Sequence, residues 1–136
     1  MSDTLGLVLF SGTDDKLQAA AILAAGASAL GRPVNVLLQY WAIDAFRADH
    51  AGAAPRLAPE ATVAAERAVR ERPEARLPWL ETFRQAKELG EVNIQACSAS
   101  MDFLELHADQ LDPIVDGCSG VATFFMKAED GQMLFI

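Results

Sequence analysis

Two apolar runs on either side of an alanine-rich segment, all within the first forty residues, constrain the fold more than any other feature. The run "LGLVLF" (residues 5–10) is rich in strand-favouring residues and ends in the polar turn "SGTDDK". The run "PVNVLLQY" (residues 33–40) shows little alternation, which is typical of a strand covered on both faces. Between them, Asp14 or Asp15 can cap a helix that ends at Gly31. The order strand, helix, strand predicts a parallel sheet.

The second half of the chain continues this alternation. "LPWLETFRQAKELG" (residues 77–90) predicts an amphipathic helix whose apolar face consists of Leu80, Phe83, Ala86 and Leu89. "VNIQA" predicts a third strand, and "PIV" (residues 113–115) predicts a very short fourth strand.

The tail "GVATFFMKAEDG" contains strand-favouring residues, but its spacing favours a helix. The apolar positions i, i+3, i+4 and i+7 are Val121, Phe124, Phe125 and Ala128. A last strand, "QMLFI", follows. We therefore predict one α/β domain over residues 1–136, a three-layer sandwich with a mostly parallel five-stranded sheet flanked by helices.

Residues 43–76 differ in composition from the rest of the chain. They hold six of the eleven basic residues and six acidic residues, so the segment is locally neutral. "PEATVAAERAVRER" predicts a helix with Pro59 in its first turn, and Pro73 ends it. We predict an exposed loop and one helix here, as an excursion over the sheet edge or a contact between copies of the chain.

The charge balance excludes two classes of partner. The 136 residues carry a formal net charge of −8, with a pI near 4.6. A nucleic-acid backbone or an anionic membrane surface calls for a basic face, so we expect neither. The longest apolar stretch, residues 17–30, is too short and too rich in Ala and Gly to span a bilayer. The N-terminus does not resemble a signal peptide, and we expect a cytoplasmic protein.

The cysteines are the main candidates for chemistry. Only two are present, without zinc-ligand spacing, so we expect neither a disulfide scaffold nor a metal site. Cys97 follows the third predicted strand, and binding sites in parallel sheets gather at the carboxyl ends of strands. At the start of a helix, free backbone N–H groups favour an anionic sulfur, and Ser98 and Ser100 can cap that helix or donate hydrogen bonds to the sulfur. A thiolate attacks sulfane sulfur, so this placement suits sulfur transfer.

Other interpretations of the same residues stay open. Carboxylates at Asp102, Asp14 and Asp15 oppose an anionic sulfur if they face the same crevice. Cys97 could instead be a small packed residue at a strand end. Cys118 is more consistent with a packed cysteine than with a resolving thiol.

The remaining aromatic and histidine residues give weaker signals. Trp41 and Trp79 could line a pocket or an interface between copies, and buried packing is favoured for each. His50 and His107 fit surface positions in polar stretches better than catalytic ones. "SGTDDK" lacks the spacing of a nucleotide-binding P-loop.

Three stretches together resemble the DsrE/DsrF-like family of sulfur-relay proteins. They are "LFSGTDDKLQAAAILAAGASALGRPVNVLLQYWAI", "NIQACSASMDFL" and "GVATFFMKAEDGQMLFI". The shared marks are Asp15 and Lys16 after the first strand, the small-residue helix, the aromatic end of the second strand at Trp41, and A-C-x-x-S-M-D at residues 96–102. The cysteine motif is the most specific of these marks.

The resemblance implies a parallel five-stranded fold, assembly into trimers, tetramers or hexamers, and sulfur carried as a persulfide on Cys97. No metal or organic cofactor is then required, because the cargo is the sulfur itself. The implied partner is a small sulfur-carrier protein or a low-molecular-weight persulfide. The residues expected to support the cysteine are Ser98, Ser100, Asp102, Asp15, Lys16 and Trp41.

Three functions fit these residues. The first is a sulfurtransferase or persulfide carrier that uses Cys97. The second is a non-catalytic binding subunit of an oligomeric sulfur-metabolism complex, and the third is a thiol redox switch through Cys97 and Cys118. Residues 81–136 contain ten acidic and three basic residues, which predicts docking of a carrier protein with a basic face.

Overall fold

A parallel sheet forms the centre of the molecule. The computed structural model describes residues 3–50, 53–72 and 77–136. The strands are β1 (Leu5–Leu9), β2 (Val34–Leu38), β3 (Val92–Cys97), β4 (Gly117–Ser119) and β5 (Gln132–Phe135). All neighbouring pairs run parallel, in the spatial order β4-β3-β2-β1-β5. The predicted α/β class and the five-stranded parallel sheet are confirmed.

Six α-helices connect or flank these strands in the described ranges. They are α1 (Asp14–Ala29), α2 (Trp41–Ala45), α3 (Val63–Glu71), α4 (Trp79–Leu89), α5 (Ser98–Leu104) and α6 (Val121–Lys127). None of the helices described has the length and hydropathy needed to cross a membrane.

The opening β1–α1–β2 unit forms as predicted. Asp14 and Asp15 occupy the first turn of α1, where negative charge complements the helix dipole. Gly31 follows the helix with φ +74°, a left-handed conformation that residues with a Cβ rarely adopt. The predicted cap is wrong, because Thr13 is the N-cap of α1 and no side chain caps the helix. The order of the elements and the glycine at the end of the helix agree with the prediction.

One face of the sheet carries the main core. Alternate residues of a strand point to opposite faces, so Leu5, Leu7 and Leu9 of β1 point the same way. They belong to the main core together with the buried side of α1 and with Phe83 and Ala86 of α4. Helices α1 and α4 therefore cover this face.

The opposite face is covered by α6. Its buried Phe124 and the C-cap residue Ala128 form a second, smaller cluster with Leu37 of β2 and Cys97 of β3. A Cβ added at Gly6 would lie 3.4 Å from both Phe124 and Ala128, so these two side chains lie over β1 at this position. Helices on both faces complete the predicted three-layer sandwich.

The fourth strand lies later than predicted. Residues 113–115 are not a strand, and β4 is Gly117–Ser119, paired with β3 from Gln95 to Cys97. Ile114 is 7% exposed and belongs to the main core, so its apolar character serves packing. A three-residue Gly-Cys-Ser run has little strand propensity, which explains the wrong prediction.

The excursion predicted for residues 43–76 begins later than expected. Ile43 and Phe46 are 0% and 1% exposed and belong to the main core. The Phe46 ring lies 4.8 Å from the Trp79 ring, centroid to centroid. The residues up to Phe46 therefore pack in the main core, and the excursion begins after them.

Helix α3 also begins later than predicted. Thr62 is its N-cap, and the Thr62 hydroxyl accepts a hydrogen bond from the Ala65 N–H at 3.1 Å. Pro59 therefore precedes the helix and does not lie in its first turn. No residue of α3 is buried, and the stop predicted at Pro73 lies outside the described residues.

The predicted apolar stripe of α4 is partly wrong. Trp79, Phe83 and Ala86 are buried, whereas Leu89 is 60% exposed. In a helix with about 3.6 residues per turn, Leu89 lies roughly 90° from the centre of the buried stripe formed by Trp79, Phe83 and Ala86. Leu89 thus extends past the edge of the core.

Candidate functional site

Cys97 is the last residue of β3 and directly precedes α5. Its backbone is extended (φ −65°, ψ 121°), and its side chain does not cap the helix. The strand-end position predicted for this thiol is confirmed. It lies at the carboxyl edge of a parallel sheet, where binding and catalytic groups of such sheets collect.

Cys97 is buried, with 2% of its surface exposed. Along β3 it shares a face with Gln95, and this is the face that α6 covers. The thiol belongs to one buried cluster with Leu37, Phe124 and Ala128, and Val8 packs against that cluster. The thiol therefore lies in an apolar environment beneath α6.

The three residues of α5 that were expected to support the cysteine differ in their exposure to solvent. Ser98 and Asp102 are exposed. Ser100 is 1% exposed, and its Oγ has no hydrogen-bond partner among the described residues. Met101 belongs to the main core, so the inner side of α5 faces that core.

Cys118 is exposed, which makes the prediction of a packed cysteine wrong. It lies in β4 opposite Ala96, while Ser119 lies opposite Cys97. Paired residues of parallel strands point to the same face, so Cys118 shares the face of Ala96. Cys97 points to the other face. The two free thiols are therefore separated by the sheet itself.

Asp14 holds the excursion in place. Its carboxylate accepts hydrogen bonds from the Trp79 Nε1–H at 2.9 Å and from the Arg56 backbone N–H at 2.6 Å. The Asp14 N–H donates to the Arg56 carbonyl at 2.7 Å. These bonds join the first turn of α1 to the excursion and to α4, on the main-core side of the sheet. Asp14 is thus engaged in a structural contact.

Asp15 also binds the excursion to the first turn of α1. Its carboxylate accepts hydrogen bonds from the Ala58 N–H at 3.1 Å and from the Lys16 N–H at 3.0 Å. Burial raises the pKa of Asp15, but hydrogen bonds from Thr13, Ala58 and Lys16 outweigh it and leave the pKa below its ordinary value. Lys16 forms an ion pair with Glu60 at 3.9 Å. All these interactions are with the excursion or within the first turn of α1.

An aromatic cluster at the carboxyl edge was not predicted. The Tyr40 ring lies 5.5 Å from Phe10, 6.0 Å from Trp41 and 5.3 Å from Phe103, between centroids. Phe135 lies 6.0 Å from Phe10. Trp41 is 49% exposed, so the favoured buried packing is wrong for it, whereas it is confirmed for Trp79 at 8%. These aromatics come from four separate segments, and only the tertiary fold brings them together.

No metal centre is formed in the described ranges, where no three His, Cys, Asp or Glu residues are grouped as metal ligands. His107 is exposed and His50 is half-buried, 4.0 Å from Asp49. Cys97 is therefore the candidate around which the site is built. The sequence did not predict that Leu37, Phe124 and Ala128 would cluster with Cys97. The spacing of apolar residues in the tail predicts a helix, but it does not show which strands that helix packs on.

A comparison with protein-family models and with curated proteins finds no match to this chain.

Proposed function

We propose that the protein carries or transfers sulfane sulfur as a persulfide on Cys97. The observation that carries this proposal is the position of a free thiol at the carboxyl end of β3, an interior strand of the parallel sheet. The thiol lies within the A-C-x-x-S-M-D segment, which resembles that of the DsrE/DsrF-like family. The five-stranded parallel fold agrees with what the resemblance implies.

The proposed step is a thiol–persulfide exchange. The Cys97 thiolate attacks the outer sulfur of a donor hydropersulfide, and a new S–S bond forms on Cys97. The S–S bond of the donor breaks, and its electron pair leaves with the donor thiolate. The outer sulfur keeps its proton, so atoms and charge balance without an added oxidant or reductant. Delivery to an acceptor thiolate is the same exchange in the opposite direction.

The proposed partners are a low-molecular-weight persulfide or a small carrier protein with a basic face. Residues 98–136 contain seven acidic residues and one basic residue, Lys127. Exposed Trp41, Phe103 and Phe135 lie at the same edge of the sheet as Cys97 and offer apolar contact area. Large exposed apolar side chains also support the proposed homo-oligomer, a trimer, tetramer or hexamer.

A second candidate function is a non-catalytic binding subunit. The burial of Cys97 favours it, because a thiol packed among apolar side chains is ordinarily inert. A redox switch through Cys97 and Cys118 receives no such support, since the two thiols point to opposite faces of the sheet.

Mass spectrometry tests the proposal. Reduced protein is incubated with glutathione persulfide, freed of the reagent and digested, with Cys97→Ser and Cys118→Ser treated alike. We expect one added sulfur on the Cys97 peptide in wild type and in Cys118→Ser. Dithiothreitol should remove it, which separates it from a sulfinic acid of nearly equal mass.

Two outcomes would overturn the proposal. Sulfur found on the exposed Cys118 alone would show ordinary surface reactivity. No adduct on Cys97, in protein whose thiols remain alkylatable after denaturation, would leave the binding subunit as the better description.

A further inference from the structure

The helix that covers Cys97 has a small attachment to the sheet. Of the α6 residues and Ala128 after them, only Phe124 and Ala128 are buried, at 3% and 4% exposed. One side-chain hydrogen bond reaches this helix from the sheet in the described structure, from Asn35 Nδ2 to the Lys127 carbonyl at 3.4 Å. Two apolar side chains and one long hydrogen bond therefore hold the cover in place.

The two ends of α6 differ in how closely they are packed. Gly120 alone separates β4 from α6, and no atom lies within 4 Å of where its Cβ would be. At the other end, Asp130 has φ +62° and is followed by Gly131, where a Cβ would clash with the Thr4 carbonyl oxygen, so this end is packed against the backbone before β1. The flanking strands β4 and β5 are paired with β3 and β1. The N-terminal end of α6, at Gly120, is thus the end with free space around it, while strand pairing fixes the segments on either side of the helix.

We propose that α6 is a lid over Cys97 and that Phe124 is the side chain that closes it. In the closed form, Phe124 and Ala128 exclude reagents from the thiol. In the open form, α6 tilts or unwinds between Gly120 and Gly131, and the thiol becomes accessible. Local openings of this kind occur below the free energy of global unfolding and involve segments with few buried contacts.

The lid regulates the sulfur chemistry of Cys97, a consequence that rests on the proposed function. A closed lid shields a persulfide on Cys97 from water and from unrelated thiols. Loading and delivery then occur only from the open form, and their rates scale with its population.

Thiol labelling tests the lid without any sulfur donor. The experiment uses the full chain with Cys118→Ser, so that Cys97 is the remaining thiol. The rate of reaction with 5,5′-dithiobis(2-nitrobenzoate) is measured in buffer and at several urea concentrations below the unfolding transition. If the thiol is exposed by a local opening, the labelling rate depends little on the urea concentration. If it is exposed by global unfolding, the logarithm of the rate rises with urea as steeply as the free energy of unfolding falls.

Two neighbouring phenylalanines provide a matched pair. Phe124→Ala should raise the labelling rate by about tenfold or more, the change produced by about 1.4 kcal/mol in the opening equilibrium. Phe125 is 53% exposed on the same helix, and its ring lies 6.1 Å from that of Phe124 between centroids. Phe125→Ala removes this contact but no buried side chain, so it should raise the rate much less than Phe124→Ala does.

A third variant should act in the opposite direction. Gly120 is the N-cap of α6 with φ −80°, a conformation open to any residue, and α6 has no side-chain cap. Gly120→Ser supplies a capping hydroxyl and restricts the open chain, so labelling should slow.

The lid is refuted if Phe124→Ala and Phe125→Ala label at the same rate. It is also refuted if all labelling in Phe124→Ala follows global unfolding as urea rises. These results are separate from the test of sulfur carriage. Labelling that follows the lid pattern without any persulfide on Cys97 would refute only the proposed function, and sulfur loading without the labelling contrast would refute only the lid.

Discussion

Removing the Asp14 carboxylate should destabilise the protein without changing the accessibility of Cys97. Asp14 joins the first turn of α1 to the excursion through Arg56 and to α4 through Trp79. It lies on the main-core side of the sheet, whereas Cys97 lies under α6. The substitution Asp14→Ala therefore separates structural support from the candidate site.

The expected loss follows from two hydrogen bonds to a charged acceptor. The Trp79 Nε1–H donates to Asp14 at 2.9 Å and the Arg56 N–H at 2.6 Å. Each such bond contributes about 1.5–3 kcal/mol, and a buried donor left without an acceptor adds to the cost. Trp79 is 8% exposed, but Asp14 is only half-buried, so water replaces part of the loss. We expect Asp14→Ala to lower the free energy of unfolding by about 2–4 kcal/mol.

Urea denaturation of a double-mutant cycle measures this contact. Trp79→Phe keeps an aromatic ring and removes the donor, so it is the matched partner of Asp14→Ala. The two substitutions should couple by about 1 kcal/mol, well above the roughly 0.3–0.5 kcal/mol found for independent sites. A coupling of only about 0.3–0.5 kcal/mol would refute the Asp14–Trp79 contact. Faster labelling of Cys97 in folded Asp14→Ala would refute the separation of this contact from the candidate site.

Three further outcomes are expected. Gly26→Ala should raise the free energy of unfolding by about 0.5–1 kcal/mol, because Gly26 lies inside α1 with open space around it; a loss of stability in a urea melt would contradict this. Asp15→Asn should lower stability near neutral pH. Since the folded carboxyl of Asp15 has the lower pKa, its contribution is present above the ordinary value of 3.8 and is lost as pH falls through the folded pKa. The difference in the free energy of unfolding between Asp15→Asn and wild type, measured by melts at several pH values, should therefore shrink at acidic pH. A difference that stays constant with pH would contradict this role of Asp15. Diamide should form no disulfide between Cys97 and Cys118, and should instead link chains through the exposed Cys118, giving a dimer on non-reducing gels that Cys118→Ser abolishes.

Local sequence signals predicted the sheet and its helices well. The apolar runs of β1 and β2 and the alanine-rich α1 form a strand–helix–strand unit whose pattern depends on nearby residues. The tail helix α6 was predicted from its spacing against a strand-like composition. These elements are set by periodicity and by glycine or acidic residues at their ends, which are visible without the fold.

The surroundings of Cys97 depend on pairing between distant strands and could not be predicted in this way. Whether a thiol at a strand end is covered depends on which helix crosses that face, and Phe124 lies 27 positions later in the chain. Cys118 was expected to be packed, but the register of a three-residue edge strand places it outside. Likewise, the sequence does not show whether Asp14 and Asp15 face the thiol, and only the path of the excursion shows their partners.

A sulfur-transfer time course tests the central claim most directly. Protein loaded with glutathione persulfide and freed of the reagent is mixed with an excess of an acceptor thiol, and sulfur on the Cys97 peptide and on the acceptor is followed by mass spectrometry. The account predicts that each sulfur lost from Cys97 appears on the acceptor, and that Cys97→Ser neither loads nor delivers. Sulfur that stays on Cys97, or delivery that persists in Cys97→Ser, would contradict it.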